Sequence, residues 1–232
     1  METYIIDTDN IDGDLFFYNL TRNSNDFSML PVFELDHIAQ KIRNILKKHG
    51  SRKDIILKRN EIKEAFFSPF KPQLKNAQVF LSHSHVDINK ALEVKDYLEN
   101  QTKRKVFVDS LFWDYKDDVL NKLAEHDDIS RIEDAFTLIL RESLQDMIEK
   151  CPYFVFLQSK NSVSLNQGLS QITYSAWIYE ELRIANTFIA DTALQESRIK
   201  AMCISYDVTN LLRRFKPISL NGLCNEIFST LL

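Results

Sequence analysis

Glycine is scarce: the chain of 232 residues holds four, Gly13, Gly50, Gly168 and Gly222. A phosphate, or a sharp strand-to-helix turn, is approached closely only by backbone that lacks Cβ, so G-x-G-x-x-G loops, P-loops and G-x-S-x-G elbows all need glycine at fixed spacing. None can be written here, which excludes classical hydride transfer, NTP hydrolysis of the P-loop kind and α/β-hydrolase chemistry. Long apolar runs are also missing. "YFVFL" at 153–157 is strand-sized and far below the roughly 20 residues that span a bilayer. The acidic start "METYIIDTDNIDGD" lacks a basic segment followed by an apolar one, so no export signal is expected and the expected location is the cytoplasm. Cysteine is limited to Cys151, Cys203 and Cys224, an odd number beside apolar neighbours, read as free thiols. A net charge of -4 and pI near 5.8 argue against a dedicated nucleic-acid binder. The basic run from Lys41 to Lys63 reads as a solvated face.

What is present is enough apolar residue, 44%, to build a sizeable core. Residues 1–75 read as a separate, mostly helical accessory segment. Helical spacing is clear there only where Leu35, Ile38, Ala39, Ile42, Ile45 and Leu46 recur, with Gly50 as the stop. "FSPFKP" at 67–72 has the chemistry of an ordered linker, so the boundary is set near 75 and residues 76–232 form the main domain. Within it strand and helix alternate. "AQVFLS" at 77–82 is followed by a helix that Asp87 is placed to cap; "KVFVDS" at 105–110 is followed by two helices; "YFVFLQS" at 153–159 by a polar loop and a helix from 175 to about 188; a strand at about 199–205 and a helix over 221–231 complete the chain. Such alternation predicts an α/β domain with a doubly wound parallel sheet, whose ligands sit outside the carboxyl ends of the strands.

Those ends carry the candidate chemistry. "HSHVD" at 83–87 starts like the His-x-His-x-Asp of metallo-β-lactamase-like hydrolases, yet Ile88 stands where the next histidine belongs and only His126 lies downstream. With five histidines and no Cys-x-x-Cys, donors are too few for a two-metal or structural zinc site, and no metal is expected. Serines, aromatics and carboxylates remain. In "SAWIYEEL" at 175–182, Trp177 and Glu181 are four apart and share one helix face, whereas Glu180 is turned away by about 100°.

"VFLSHSHVD", "VFVDSLFW", "YFVFLQS" and "SAWIYEEL", in this order over residues 77–205, together resemble the Toll/interleukin-receptor (TIR) family. The resemblance implies a flavodoxin-like sheet with the C-terminal helix included in the domain. It also implies an activity, since many TIR domains cleave NAD between nicotinamide and ribose with the glutamate of W-x-x-x-E, here Glu181. By the same resemblance Ser82, His83 and Ser84 line the nucleotide pocket. Trp177 and Trp113 offer faces for a base or the pyridinium, against the plainer reading of both as packing residues. Asp109 ends its strand and reads more simply as a cap of the next turn.

The implied protein is a stand-alone bacterial-type NAD-consuming enzyme, a glycohydrolase or ADP-ribosyl cyclase with NAD as substrate and no cofactor. By analogy with Thoeris antiphage systems it passes a cyclic or conjugated ADP-ribose signal to a downstream effector and assembles through TIR–TIR contacts. Hydrolysis, cyclisation and base exchange are not separated by these residues, because the stretch of about 43 residues between the second strand and "YFVFLQS" and the loop "KNSVSLNQGLSQITY" can reshape the pocket. Two alternatives stay open: a non-catalytic TIR interaction module, and a nucleotide sensor that binds without cleaving.

Overall fold

A computed structural model describes residues 1–11, 36–45, 59–67, 76–125, 130–165, 169–189 and 205–229, with the backbone alone at some helical positions. Two compact units emerge: residues 1–21, 77–110 and 145–232 form one, and residues 22–76 and 111–144 the other.

The first unit is built on a five-stranded, wholly parallel sheet. Its strands are β1 (Glu2–Asp7), β2 (Ala77–Ser82), β3 (Lys105–Val108), β4 (Tyr153–Gln158) and, after three short strands, β8 (Lys216–Pro217). Their order is β3-β2-β4-β1-β8. This is compatible with a flavodoxin-like arrangement in which the chain's first strand fills the fourth place. β1 runs in register with β4, from Glu2 opposite Tyr153 to Asp7 opposite Gln158, and with β8 on its other side. Residues 1–75 therefore do not stand apart as one accessory segment. Of the expected linker at 67–72, Phe67 ends a helix and residues 68–72 lie outside the described residues, as do Gly50 and most of the expected strand at 199–205.

The central strands are apolar on both faces, as strands covered by helices on each side must be. Phe80, Phe107, Phe154 and Phe156 are buried, and the Phe80 and Phe154 rings stack at 5.4 Å. Helix α3 (Ile88–Thr102) links β2 to β3 after a 3-10 turn at His85–Asp87 and packs against the last helix described, α7 (Leu220–Ser229). Glu99 of α3 ties the crossover to β3, because its carboxylate accepts the Val106 N–H at 2.9 Å and pairs with Lys105 at 3.2 Å. With glycine so rare, the helix ends on Lys103 in the left-handed region (φ 58°), a conformation that costs a non-glycine residue about 1 kcal/mol. A separate antiparallel sheet joins β5 (Ser164–Leu165), β6 (Gln171–Thr173) and β7 (Tyr206–Asp207) in that order. The long polar loop of the sequence thus contains two strands.

The second unit is helical throughout its described residues, apart from turn residues at 76 and 125. It contains the helix over residues 36–45, here α1, α2 (Arg59–Phe67), and most of α4 (Asp109–Ala124) and α5 (Ser130–Lys150). Its core holds Ile38, Ile42, Phe66, Tyr115 and Phe136. The Phe66 ring lies 4.9 Å from that of Tyr115 and 5.4 Å from that of Phe136. Arg43 donates to the Lys122 carbonyl at 2.6 Å, binding α1 to α4.

Candidate functional site

β2 and β4 flank the point where strand order reverses, since β3 lies on one side of β2 and β4 on the other. Side chains that end β2 and β3 thus sit where open α/β sheets bind ligands. Ser82 is the last residue of β2, and Asp109 directly follows β3.

The third contributor comes from α6 (Ala176–Thr187). Ser175 caps this helix, its hydroxyl accepting the Ile178 N–H at 3.2 Å, which satisfies one orphan donor of the first turn. Arg214 closes the far end by donating to the carbonyls of Asn186 and Ile189 at 3.1 Å each, a cation placed where the helix dipole favours one. Between the caps, Ile178, Leu182 and Ala185 make the buried stripe, and Glu181 lies within it at 0% exposure. An acid at a core position of an amphipathic helix costs free energy unless it is paired.

Glu181 is paired only in part. The Ser82 hydroxyl donates to its Oε2 at 2.5 Å, while its Oε1 meets no hydrogen-bond donor. Burial, followed by the negative charge of Asp109, raises its pKa well above the ordinary carboxylate value, against the lowering effect of the Ser82 bond and of His83. Asp109 is itself buried. Its Oδ1 accepts the Ser110 N–H at 2.8 Å and lies 2.7 Å from His83 Nδ1, an ion pair when the imidazole is protonated. Asp109 does bond the first N–H of the next turn, as a capping residue would, but it also faces Glu181.

Of the residues singled out in the sequence, Ser82, His83, Asp109 and Glu181 come together. Ser84 is buried beside them and precedes the 3-10 turn without a side-chain bond to it. Trp177 is half-buried one helix turn before Glu181. Trp113 lies on α4, and its side chain is outside the described residues. Glu180 points elsewhere, to Arg183 at 3.0 Å. No family model, curated protein or solved structure matches this chain.

Two neighbouring features escaped the sequence reading. Asp87 occupies the N-cap position of α3, yet its side chain makes no cap bond. Instead it accepts Ser159 Oγ at 2.5 Å and Asn161 Nδ2 at 2.9 Å, both from the end of β4. The expected cap is a strut between strand ends. The second feature is a cleft of about 1050 Å³ beyond the ends of β1 and β8, lined by Ile6, Asn10, Gln158, Gln171, Arg213 and Asn221 among others. None of the residues chosen from the sequence lines it. Its one carboxylate among the described residues, Asp7, is already met by Asp9 N–H and Asn10 Nδ2, so proton or charge chemistry is better served by the Glu181 cluster. Among the described residues, no group of three His, Cys, Asp or Glu side chains is placed to hold a metal, and no helix is long and apolar enough to cross a membrane.

Proposed function

We propose that this chain is a TIR-type enzyme that cleaves the bond between nicotinamide and ribose in NAD, with Glu181 as the catalytic residue. The observation that supports this most is a single one: a helix carboxylate, buried in the apolar stripe, meets the side chains that end β2 and β3 and leaves one oxygen without a donor. Such a group is costly to keep and is chemically competent.

In the proposed reaction the bond between C1′ and the pyridinium nitrogen breaks, its electron pair leaves with nicotinamide, and the ribosyl carbon becomes cation-like. The Glu181 carboxylate, placed under that carbon, stabilises the developing charge in a site of low dielectric. Water then adds to C1′ and gives its proton to Glu181, or a nitrogen or hydroxyl nucleophile adds instead and yields a cyclic or conjugated ADP-ribose. Ser82 orients Glu181 through its hydrogen bond. With Glu181 closed to solvent, substrate reaches it only when side chains at the strand ends draw back. A role in antiphage signalling, with an effector that senses the product, follows from the resemblance alone.

The test is nicotinamide release from NAD by the purified chain, followed by chromatography for the parent, Glu181→Gln and Glu180→Gln. Release by the parent and by the Glu180 variant, and none by Glu181→Gln, is the expected result. Equal release by all three removes Glu181 from the chemistry.

A second reading, an assembly module of TIR type, draws on the exposed apolar residues Leu165, Leu169 and Tyr174 on and beside the small antiparallel sheet, at 67%, 79% and 65% exposure. It is the better account if the parent is inert toward NAD at concentrations where it self-associates.

A further inference from the structure

Building on the NAD-cleaving reading of this site, we propose that Glu181 and Asp109 hold one proton between them and surrender it when a cationic ring enters. Asp109 is then the residue that makes the site select positively charged N-ribosides over neutral ones.

The geometry carries this. Both carboxyls are buried, Asp109 at 4% and Glu181 at 0% exposure, and the register of β2 on β3, with Leu81 opposite Val108, sets Ser82, which holds Glu181 at 2.5 Å, across from Asp109, so that the two carboxyls meet. Between two carboxyls such a contact is a hydrogen bond only if one of them bears a proton, because the ionised form has nothing to donate. Glu181 Oε1, which has no donor, shows the cost of leaving the pair fully ionised. Asp109 accepts the Ser110 N–H at 2.8 Å and lies 2.7 Å from His83 Nδ1, a cationic neighbour when the imidazole is protonated, whereas Glu181 is the more deeply buried of the two, so the proton belongs on Glu181.

The groups that act on Glu181 are Asp109 from the β3–α4 junction, His83 from the turn after β2 and the Ser82 hydroxyl from β2. On its own helix, Glu180 is engaged by Arg183. Two negative charges held this close in a buried site oppose each other. A pyridinium supplies the missing positive charge, both carboxyls ionise, and one proton leaves for each cation bound. A neutral dihydropyridine or a purine brings no such compensation. Discrimination by charge thus adds to any discrimination by shape.

The experiment follows the Glu181 carboxyl by 13C NMR across pH in the parent, Asp109→Asn and Ser82→Ala, with 1-methylnicotinamide as a stable cation and nicotinamide as its neutral counterpart. The expected parent midpoint lies above the ordinary glutamate range. Asp109→Asn lowers it by roughly one unit or more, and Ser82→Ala, which removes a donor to the ionised form, raises it. Calorimetry of 1-methylnicotinamide binding in buffers of different ionisation heat reports a proton released by the parent and a smaller release by Asp109→Asn, in which burial alone still favours the protonated Glu181. A Glu181 midpoint that is the same in folded Asp109→Asn as in the parent overturns the proposal. If that variant fails to fold, a midpoint that does not rise in Ser82→Ala, or cation binding by the parent without proton release, overturns it equally. Failure of the parent to cleave NAD bears on the enzymatic reading instead, because the titration reads the pair without turnover.

Discussion

Asp87 and Glu181 are both buried acids at the carboxyl edge of the same sheet, and their surroundings are opposite. Asp87 receives a hydroxyl and an amide, with the Lys90 ammonium at 3.9 Å, so both of its oxygens are met. Glu181 receives one hydroxyl, faces a second carboxyl and keeps an oxygen without a donor. A satisfied buried acid fastens strand ends together, whereas an unsatisfied one stores a demand for positive charge or a proton. One half of the edge is thereby settled, and the other is left with an unmet demand.

The contrast can be broken in several ways. The largest effect is expected at Glu181: replacement by glutamine lowers the rate of nicotinamide release by ~10³-fold or more, measured with saturating NAD. Next, Asp87→Ala leaves Asn161 and Ser159 without their acceptor and lowers stability by about 2–4 kcal/mol. A urea midpoint unchanged from the parent would show that the Asp87 strut holds nothing.

The pH dependence of stability is a third and smaller effect. Native Glu181 keeps a proton that the unfolded chain, with its glutamate near 4.5, gives up. The native state binds the more protons in the window from that value up to the raised native one, so stability is fully present below 4.5 and is lost as pH rises through the window. Urea midpoints of the parent should fall across that range relative to Glu181→Gln, which at neutral pH should be the more stable by on the order of 1–3 kcal/mol. Parallel curves would mean that the glutamate is already ionised when folded. The smallest effect belongs to Glu180→Gln, which disturbs a surface pair with Arg183. Stability should change by less than about 0.5 kcal/mol, and nicotinamide release should stay at the parent level.

The parts of this molecule that local pattern announces are those whose partners do not matter to the reading. β2, β3 and β4 are apolar runs of four to six residues, and α6 shows its buried stripe by spacing alone. The acid at position 181 stands out because it interrupts that stripe. β1 was hidden for the opposite reason. Its "YII" is embedded among acids, and its neighbour begins at Tyr153, so only a pairing across the whole chain makes it a strand. β5, β7 and β8, two residues each, are too short for any period to register. Asp87 was misread because its position before a helix is visible in sequence while Ser159 and Asn161, about 70 residues later, are not. The meeting of Asp109 with Glu181 depends likewise on the order in which strands are laid side by side.

The interior place of β1 has a temporal side. Residues 2–7 are synthesised well before both flanking strands, β4 and β8; at ordinary rates of synthesis Tyr153 follows on the order of 10 s afterwards. Throughout that interval β1 lacks both of the strands that flank it, and the sheet is completed only when β1 is laid between two segments made much later. Pairings so distant in sequence make for slow folding, and a change that weakens β1 would burden the strand that must wait longest for its place.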